Sequence, residues 1–523
     1  MLLSLAISPD GRTLVIAGTD ATGQRLYQRT LDRPEATPLA GTEGALCPFF
    51  SPDGAWIGFF ADRRLKRVPV GGGTAIDITA TAGYPAGASW GNDDRIVYAA
   101  GYLSPLWIVD ARGGTPAALT KVNGSRGHLY PEILPDGQTV MFNEGGWIHA
   151  LHLASGRRTD RVVEGTSARY SSGYLILNRQ TALLAAPFDP TRLEIIGPAV
   201  PLVESVAVER GSGGAPHVAV SRGGTVAYVP AARAYELVLV EPDGAERLLS
   251  QDPLLENPQF SPGGDRLVVA RTIRPGETPE LWVYDLATDA PAFRLTSDGG
   301  RAPVWSPDGA SITYSHPVPS ERSGIYTKSA DGRGTAHQIV RLPNFHWLVG
   351  WTPQQTLAFG MMEGMASDGI SRSSILAIER ATTRRIIGPG DTWGGRLSPD
   401  GRRLAYYSLD SGYFQIYVTP FPDTGTDWLI AEGTDPSWSP DGTEIYYRNG
   451  SRLMAARIDS TSGVRVISRR PVVDSFSPPL YDDYDIHPNG RTLALVRPIG
   501  DTEGRAVAWV LNQLEELGRL AHD

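Results

Sequence analysis

A four-residue phrase, Ser-Pro-Asp-Gly, recurs along this chain, preceded by an apolar or aromatic residue and followed by a strand-like stretch. Five copies are intact and begin at Ser8, Ser51, Ser306, Ser398 and Ser439. Seven altered copies fill the intervals and begin at Gly91, Leu134, Ser171, Ser221, Ser261, Thr352 and His487. The mean spacing of these twelve anchors, from Ser8 to His487, is about 44 residues. A repeat of this length, with strands between turns, is typical of β-propeller blades.

The anchor phrase has the chemistry of a tight turn. In the copy that begins at Ser439, Pro440 fixes φ for the second position of a type I turn, and Asp441 and Gly442 suit the next two. A strand rich in β-branched and aromatic residues follows, and Asn449-Gly450 then predicts a two-residue hairpin. The large residue before each anchor is expected to wedge between neighbouring blades as part of the core.

The fold class expected from twelve anchors is all-β, with two tandem six-bladed propellers of four-stranded blades. The first propeller is predicted over residues 1–232 and the second over residues 233–523. Loop-like sequence between about residues 230 and 255 marks the seam. A single ring of twelve blades lies outside the usual range of about four to eight. A division into seven and five blades stays open, because periodicity alone does not exclude it.

The last repeat is too short for a complete blade. After strands over Thr492–Arg497 and Val507–Leu511, leucines at 514, 517 and 520 predict a short C-terminal amphipathic helix capped by Asn512. A propeller has to close on itself or leave an edge strand exposed. The missing outer strand must therefore come from elsewhere in the chain or from residues outside it.

The composition limits the kinds of partner and the cellular environment that fit this chain. A net charge of −9 argues against a nucleic-acid surface, and the single cysteine, Cys47, excludes an intramolecular disulfide and is expected to be a buried core thiol. No apolar stretch approaches the roughly 20 residues that cross a bilayer, so the chain as written is expected to be soluble, with no transmembrane segment. The compartment stays open from composition alone.

No motif stands in a context that would indicate an enzyme or a cofactor site. No α/β-hydrolase domain follows the repeats, and the sequence has no Walker loop or kinase catalytic motif. The pair His149 and His152 falls on opposite faces of a predicted strand, which argues against a shared metal. The chain is therefore expected to be non-catalytic, with no cofactor and no metal.

The best candidates for function lie just before the anchors, where strand starts line one mouth of a propeller channel. The ligand-binding candidates there are Arg126, His128, Tyr170, His217, Trp347, Trp393, Tyr481, Asp482, Asp483 and Tyr484. Tyr130, Arg169, Asn257, Arg301, His346 and Asp485 share this position.

Two of these groups have competing interpretations. The Tyr481–Asp485 run, with three carboxylates and two tyrosines, suits a cation, a sugar or a basic peptide, but a solvated acidic loop is the favoured alternative. The pair Arg126 and His128 suits an anionic group, and a hydrogen bond between blades accounts for it equally well.

The chain resembles the TolB-like propeller region that follows the kinase domain and membrane helix of large bacterial serine/threonine protein kinases. The resemblance covers essentially residues 1–523 and rests on phrases as well as repeats. These phrases are Glu35–Gly44, Pro48–Phe60, Gly114–Pro116, Tyr130–Gly137, Ala168–Gly173, Leu184–Asp189 and Val510–Leu517. The kinase half and the membrane span of those relatives are absent here, so no kinase residue carries over.

The favoured function is a non-catalytic binding or sensor module that takes a protein or a small ligand at a propeller mouth. The alternative is an enzyme built across a mouth, a lyase or glycoside hydrolase, with Asp482, Asp483 and Asp485 as its carboxylates. A third possibility is the regulatory half of a kinase. The resemblance implies an extracytoplasmic, periplasmic position if the chain is joined to a kinase and a membrane helix.

Overall fold

The computed structural model is all-β and divides into two compact units. Unit 1 comprises Met1–Ala231, Gly364–Ser371 and Gly504–Asp523, and unit 2 comprises Ala232–Glu363 and Arg372–Glu503. The structure describes residues 4–20, 23–33, 35–81, 83–122, 127–208, 216–232, 234–273, 278–288, 290–316, 322–365, 371–379, 382–390, 392–409, 414–422, 425–450, 452–461, 463–474, 483–499, 507–511 and 514.

The strands follow one another along the chain with short turns. The first part of the chain forms β1 (Leu5–Ile7), β2 (Thr13–Asp20), β3 (Gly23–Thr30), β4 (Thr37–Pro38), β5 (Leu46–Phe50), β6 (Trp56–Ala61), β7 (Arg64–Pro69), β8 (Ile76–Ala80), β9 (Ala88–Trp90), β10 (Arg95–Ala99), β11 (Leu106–Asp110), β12 (Ala117–Ala118), β13 (Leu129–Ile133), β14 (Thr139–Glu144), β15 (Trp147–His152), β16 (Arg158–Glu164), β17 (Ser167–Ser171), β18 (Tyr174–Arg179), β19 (Ala182–Asp189), β20 (Glu194–Ile195), β21 (Val200–Val203), β22 (Val218–Val220) and β23 (Val226–Tyr228).

The remaining part forms β24 (Tyr235–Val240), β25 (Glu246–Asp252), β26 (Leu254–Phe260), β27 (Arg266–Thr272), β28 (Glu280–Asp285), β29 (Phe293–Arg294), β30 (Arg301–Trp305), β31 (Ser311–His316), β32 (Gly324–Ser329), β33 (His337–Arg341), β34 (His346–Trp351), β35 (Leu357–Met365), β36 (Ser371–Glu379), β37 (Thr382–Gly390), β38 (Thr392–Leu397), β39 (Arg403–Ser408), β40 (Gln415–Pro420), β41 (Trp428–Glu432), β42 (Thr434–Trp438), β43 (Glu444–Asn449), β44 (Arg452–Asp459), β45 (Arg465–Val473), β46 (Tyr484–Ile486), β47 (Leu493–Pro498) and β48 (Ala508–Val510).

These strands pair into blade-like antiparallel sheets, numbered here in chain order. Sheets 1–4 are β1–β4, β5–β8, β9–β12 and β13–β16, and sheet 5 is β17–β20 with β21 added beside β19. Sheets 8–12 are β26–β29, β30–β33, β34–β37, β38–β41 and β42–β45. In each of these sheets an anchor turn joins the first strand to the second, so the repeat of the sequence is the repeat of the structure.

The two other sheets combine strands from distant parts of the chain. Sheet 6 has the order β22-β23-β48, and sheet 7 has the order β25-β24-β47-β46. In sheet 7 the register pairs Tyr235 with Pro498 and Val240 with Leu493. The Arg497 guanidinium reinforces this seam by donating to Glu236 at 2.6 Å and to both oxygens of Glu246 at 2.8 and 2.6 Å. The outer strands that the last repeat lacks are therefore β24 and β25.

Each intact anchor is held by the same hydrogen bonds. At Ser439, the hydroxyl donates to Asp441 Oδ1 at 2.6 Å and accepts the N–H of Glu444 at 2.8 Å, while Gly442 N–H donates to Ser439 O at 2.9 Å. The serine and aspartate of the other intact copies bond in the same way. At Ser439 this bond lowers the pKa of the Asp441 carboxyl by stabilising the carboxylate.

Neighbouring sheets are linked through the residues just before each anchor. Where the residue two before an anchor has a side-chain acceptor, it can accept the N–H of the residue one before the next anchor, as Gln259 does from Trp305 at 3.1 Å and Ser89 does from Ile133 at 3.0 Å. The Trp305 indole also donates to Gln259 O at 3.0 Å, which confirms that the large residue wedges between sheets. In unit 2 the first strand of the last repeat, β46, is linked to β26, the first strand of sheet 8, in the same way. Asp485 Oδ2 accepts Phe260 N–H at 2.8 Å.

A bulge recurs four residues before many anchors. Residues there adopt positive φ, including Cys47 (47°), Tyr130 (52°), Asn257 (54°) and Asp435 (52°). The left-handed conformation is costly for residues with a side chain, so the surrounding sheet has to enforce it. Cys47 is half-buried at its bulge and donates to Pro85 O at 3.6 Å, rather than lying fully in the core.

The predicted C-terminal helix falls on residues 512–520, which lie outside the described residues except for Leu514. No helix in the described part of the chain is long and apolar enough to span a bilayer.

Candidate functional site

The first strands of unit 2 bring a charged and aromatic group together at the ends away from the anchor turns. The described residues that lie five before an anchor of unit 2, together with Phe345, form what is here termed the unit 2 mouth. Its members are Glu256, Arg301, Phe345, Trp347, Trp393 and Thr434. All of them except Phe345 lie directly before the bulge position of a first strand, so they come from five different sheets, and Phe345 immediately precedes the strand that holds Trp347.

The mouth has a charged side. Arg301 Nε lies 3.1 Å from Glu256 Oε1, and their side chains are 46% and 13% exposed. Asn257 links the two sheets that carry this charge pair, sheets 8 and 9, because its Oδ1 accepts Ala302 N–H at 3.2 Å. The guanidinium is thus positioned by one carboxylate yet open to solvent, which leaves it able to contact a ligand.

The mouth also has an aromatic side. The rings of Trp347 and Trp393 stack with centroids 5.8 Å apart and planes at 18°. Phe345, 43% exposed, lies against Trp347 with ring centroids 6.1 Å apart. Trp347 lies flat over Gly360 of the adjacent strand, where a Cβ would come within 1.9 Å of the indole. Gly360 therefore lets the ring lie in this position.

Unit 1 has different chemistry in the corresponding positions. Its described residues that lie five before an anchor are Leu46, Ala86, Leu129, Thr166 and Pro216. Small and apolar side chains there offer neither a charge pair nor an aromatic surface. The unit 2 mouth is therefore a property of that unit and not of the repeat.

Several residues predicted as ligand contacts have structural roles. Asp483 is 1% exposed and its Oδ2 accepts from Arg448, itself 2% exposed, at 2.5 Å. The Tyr484 hydroxyl donates to Asp435 O at 2.6 Å. Both residues are buried, whereas the favoured alternative for their run was a solvated loop. Arg126, Tyr481 and Asp482 lie outside the described residues.

The other predicted contacts are dispersed over unit 1. Tyr170 is half-buried, its N–H donates to Glu132 Oε1 at 3.4 Å, and its ring packs edge-on against Phe188. The half-buried His217 donates its backbone N–H to Ala207 O at 2.8 Å. Among the described residues of the predicted set, Trp347 and Trp393 are in direct ring contact with each other. Their sequence signal was their shared distance from an anchor, and the same signal would have found Glu256.

His128 belongs to a buried polar cluster between sheets 3 and 4. It has no exposed surface, and its Nδ1 lies 2.7 Å from Thr120 Oγ1 of the preceding sheet. Its Nε2 lies 3.6 Å from Glu144 Oε2, which also accepts a short hydrogen bond from Arg158. His149 completes the group through Asp160, with 2.8 Å between Nδ1 and Oδ1. Thr120 provides the blade-to-blade bond that was the alternative to anion binding.

This cluster predicts an acid-sensitive link between sheets. Burial lowers the pKa of His128 to about 4, with Arg158 and His149 acting in the same direction and Glu144 opposing them. Between about pH 6.5 and pH 4 the His128 imidazole is protonated in the unfolded chain but not in the folded protein. The free energy of unfolding is therefore expected to fall by about 1–3 kcal/mol as the pH drops through this range. Urea unfolding at a series of pH values measures this. His128→Asn should flatten the profile over that window and His152→Asn should not; equal profiles for both variants would contradict it.

One stretch matches a nucleophile-elbow pattern, Gly87-Ala88-Ser89-Trp90-Gly91, but its context is structural. Ser89 lies within β9, not in a strand-to-helix turn, and its hydroxyl accepts Ile133 N–H at 3.0 Å. Among the described residues, no group of three His, Cys, Asp or Glu side chains is arranged to hold a metal ion.

Comparison with known proteins gives structural neighbours only. No protein-family model and no curated protein matches the chain. Among solved structures, the chain is similar to a putative TolB from Agrobacterium tumefaciens, with 20% identity and a TM-score of 0.39 over 51% of this chain and 99% of that one. It is similar to TolB from Acinetobacter baumannii, with 15% identity and a TM-score of 0.36 over 66% and 82%. It is also similar to the tricorn protease, with 13% identity and a TM-score of 0.33 over 90% and 59%.

Proposed function

We propose that the chain is a non-catalytic binding module of two six-bladed propellers, drawn mainly from residues 1–232 and 233–523, and that the unit 2 mouth is its recognition surface. The observation that carries the proposal is the stack of Trp347 and Trp393 beside the exposed Phe345, with the exposed Arg301 on the neighbouring sheet. The first strands of unit 2 contact one another in a closed cycle from β26 through β46, which supports a ring of six blades.

The chemistry of the unit 2 mouth favours a protein partner. Exposed aromatic side chains next to arginine are the residue types that dominate binding energy at protein interfaces. The rings are held by packing and by Gly360, so little conformational entropy is lost when a partner covers them. An extended peptide segment with an aromatic or proline side chain and a nearby acidic group fits both sides of the mouth.

The double variant Phe345→Ala/Trp393→Ala is expected to weaken partner binding at least tenfold, about 1.4 kcal/mol, because it removes the aromatic surface. The measurement is selection of a displayed peptide library on the full chain, followed by titration of the selected peptides. Phe293→Ala is the matched control, since Phe293 is 39% exposed on an outer strand of unit 2 away from the mouth. Peptides that bind all three proteins equally would place recognition elsewhere.

The enzyme alternative has little support from the described carboxylates. Asp483 is buried in its ion pair, and Asp485 accepts a backbone N–H from the neighbouring sheet. Both side chains therefore have structural partners, whereas a glycosidase needs two carboxyl groups facing one substrate.

An association with a kinase, and with it an extracytoplasmic position, is proposed from the sequence resemblance alone. The test is to map the 5′ end of the transcript and to read the upstream DNA in frame. A kinase domain and an apolar span encoded there support a sensor half; a stop codon and promoter directly upstream support a free-standing protein.

A further inference from the structure

The second position of the anchor turn has changed in a specific way in unit 1. Pro9, Pro52 and Pro135 keep the proline of the phrase, whereas three of the four altered copies in unit 1 place Asn92, Ser172 and Arg222 there. The three replacements introduce hydrogen-bonding side chains where proline has none. All three are exposed.

These replacements meet one another, although they come from sheets 3, 5 and 6. Arg222 donates through one amino group to Pro52 O at 3.3 Å and through the other to Asn92 Oδ1 at 3.0 Å. The Ser172 hydroxyl donates to Arg222 O at 3.1 Å. Sheet 6 is linked to sheet 5 by the Ser171 hydroxyl and lies against sheet 1 through β1 and β22. A bond from Arg222 to sheets 2 and 3 therefore crosses the space that the anchor turns surround.

Glu132, a carboxylate whose pKa is affected by the charge of Arg222, has its own ion-pair partner. Glu132 and Arg169 lie on neighbouring first strands, with Arg169 NH1 3.6 Å from Glu132 Oε2. Burial raises the pKa of Glu132, and the nearby Arg169 and Arg222 oppose that rise. Glu132 is thus paired with Arg169, and among the described residues no ion pair neutralises the Arg222 guanidinium.

Arg222 keeps donor capacity for a ligand. A guanidinium carries five N–H groups. In the described part of the chain, those of Arg222 donate to two acceptors, Pro52 O and Asn92 Oδ1. Both bonds hold the side chain across the turns, which orients the remaining donors without an entropic cost at binding. Asn92 adds its side-chain amide, because only its Oδ1 accepts from Arg222.

We infer that the cluster of Arg222, Asn92 and Ser172 is a binding site for a compact oxyanion, a carboxylate or a phosphate. This site lies at the anchor-turn end of unit 1, so it is distinct from the unit 2 mouth and does not depend on the function proposed for that mouth. Planar guanidinium matches the oxygen spacing of both anions and binds them through paired charge-assisted hydrogen bonds.

The test is isothermal titration of the full chain at low ionic strength with two probes, inorganic phosphate and succinate. Arg222→Gln should weaken the binding of whichever probe binds at least tenfold, and Asn92→Ala should weaken it several-fold. Arg222→Lys should also weaken it, because an ammonium cannot donate in the paired geometry. Arg192→Gln is the matched control, since it removes an exposed guanidinium of unit 1 that pairs with Glu194 at 3.2 Å and should bind like wild type.

Each outcome decides the inference. Binding of phosphate alone or succinate alone, lost in Arg222→Gln, supports the site and identifies the anion class; binding of both supports a general oxyanion site. Binding that is unchanged in Arg222→Gln, or no binding of either probe, overturns the inference. Asn92→Ala keeps the test valid if Arg222→Gln unfolds, because it leaves the Arg222 bond to Pro52 in place. Phe345→Ala/Trp393→Ala should bind the anion like wild type, which separates this site from the unit 2 mouth.

Discussion

Replacing Asp483 by asparagine is expected to destabilise unit 2 by about 3–5 kcal/mol, because it removes the carboxylate that forms a buried ion pair with the Arg448 guanidinium. Both side chains are almost completely buried, and the carboxylate lies 2.5 Å from the guanidinium. The pair joins β43 of sheet 12 to the residue before β46 of sheet 7, so it links these two neighbouring sheets. Urea unfolding followed by tryptophan fluorescence measures the loss.

A matched exposed pair provides the control for Asp483→Asn. Asp459 lies 3.5 Å from Arg465, with side chains 35% and 79% exposed, and Asp459→Asn should cost less than about 1 kcal/mol. The double variant Arg448→Met/Asp483→Leu should recover most of the stability, because a packed apolar pair has no buried charge to solvate. Equal losses for Asp483→Asn and Asp459→Asn would contradict the burial of the pair.

Ending the chain after Ile499 is expected to destabilise unit 1 while leaving unit 2 folded. The truncation removes β48, whose residues Ala508–Val510 pair with β23, and it removes Leu514. Leu514 is 1% exposed and packs with Ile176, Leu183 and Val226 in a core cluster of unit 1. The strands that close sheet 7 end at Pro498, so they stay in place.

Hydrogen exchange read by mass spectrometry checks this result sheet by sheet. Protection should fall in sheets 5 and 6 and be retained in sheets 8–12. A point variant refines the test: Leu514→Ala should cost about 2–5 kcal/mol, whereas Leu511→Ala, at a 51% exposed position, should cost little. Protection lost uniformly across the chain, or nowhere, would show that β48 does not complete unit 1.

The turn and the core positions of each repeat could be predicted from the sequence because they depend on residues that are close together in the chain. Ser439, Asp441 and Gly442 form their turn with each other and with the next strand, so the phrase alone predicts the bonds. Trp305 and Trp438 were expected to wedge between sheets, and each indole donates to a backbone carbonyl of the preceding sheet. A large apolar residue at a fixed distance from a turn faces the same way in every blade.

The candidate sites were predicted only in part, since they depend on which sheets become neighbours. Trp347 and Trp393 were identified by position, but their stacking also needs Gly360, which carries no such signal. His128 and Asp483 were also identified because they lie just before an anchor, and both are buried in polar pairs instead. Whether a polar residue near a strand start meets a ligand or a partner is decided by the side chains opposite it, which spacing does not report.

The sequence by itself determined the repeat, the turn chemistry and the all-β class, because each follows from contacts within one 44-residue unit. Only the tertiary structure decided how the sheets close, with β24 paired to β47 across more than 250 residues and β48 returned to β23. It also decided that Arg222 meets Asn92. These pairings join segments that are far apart in the sequence, so the repeat period does not indicate them. They form because strand edges and buried side chains need partners in the folded protein.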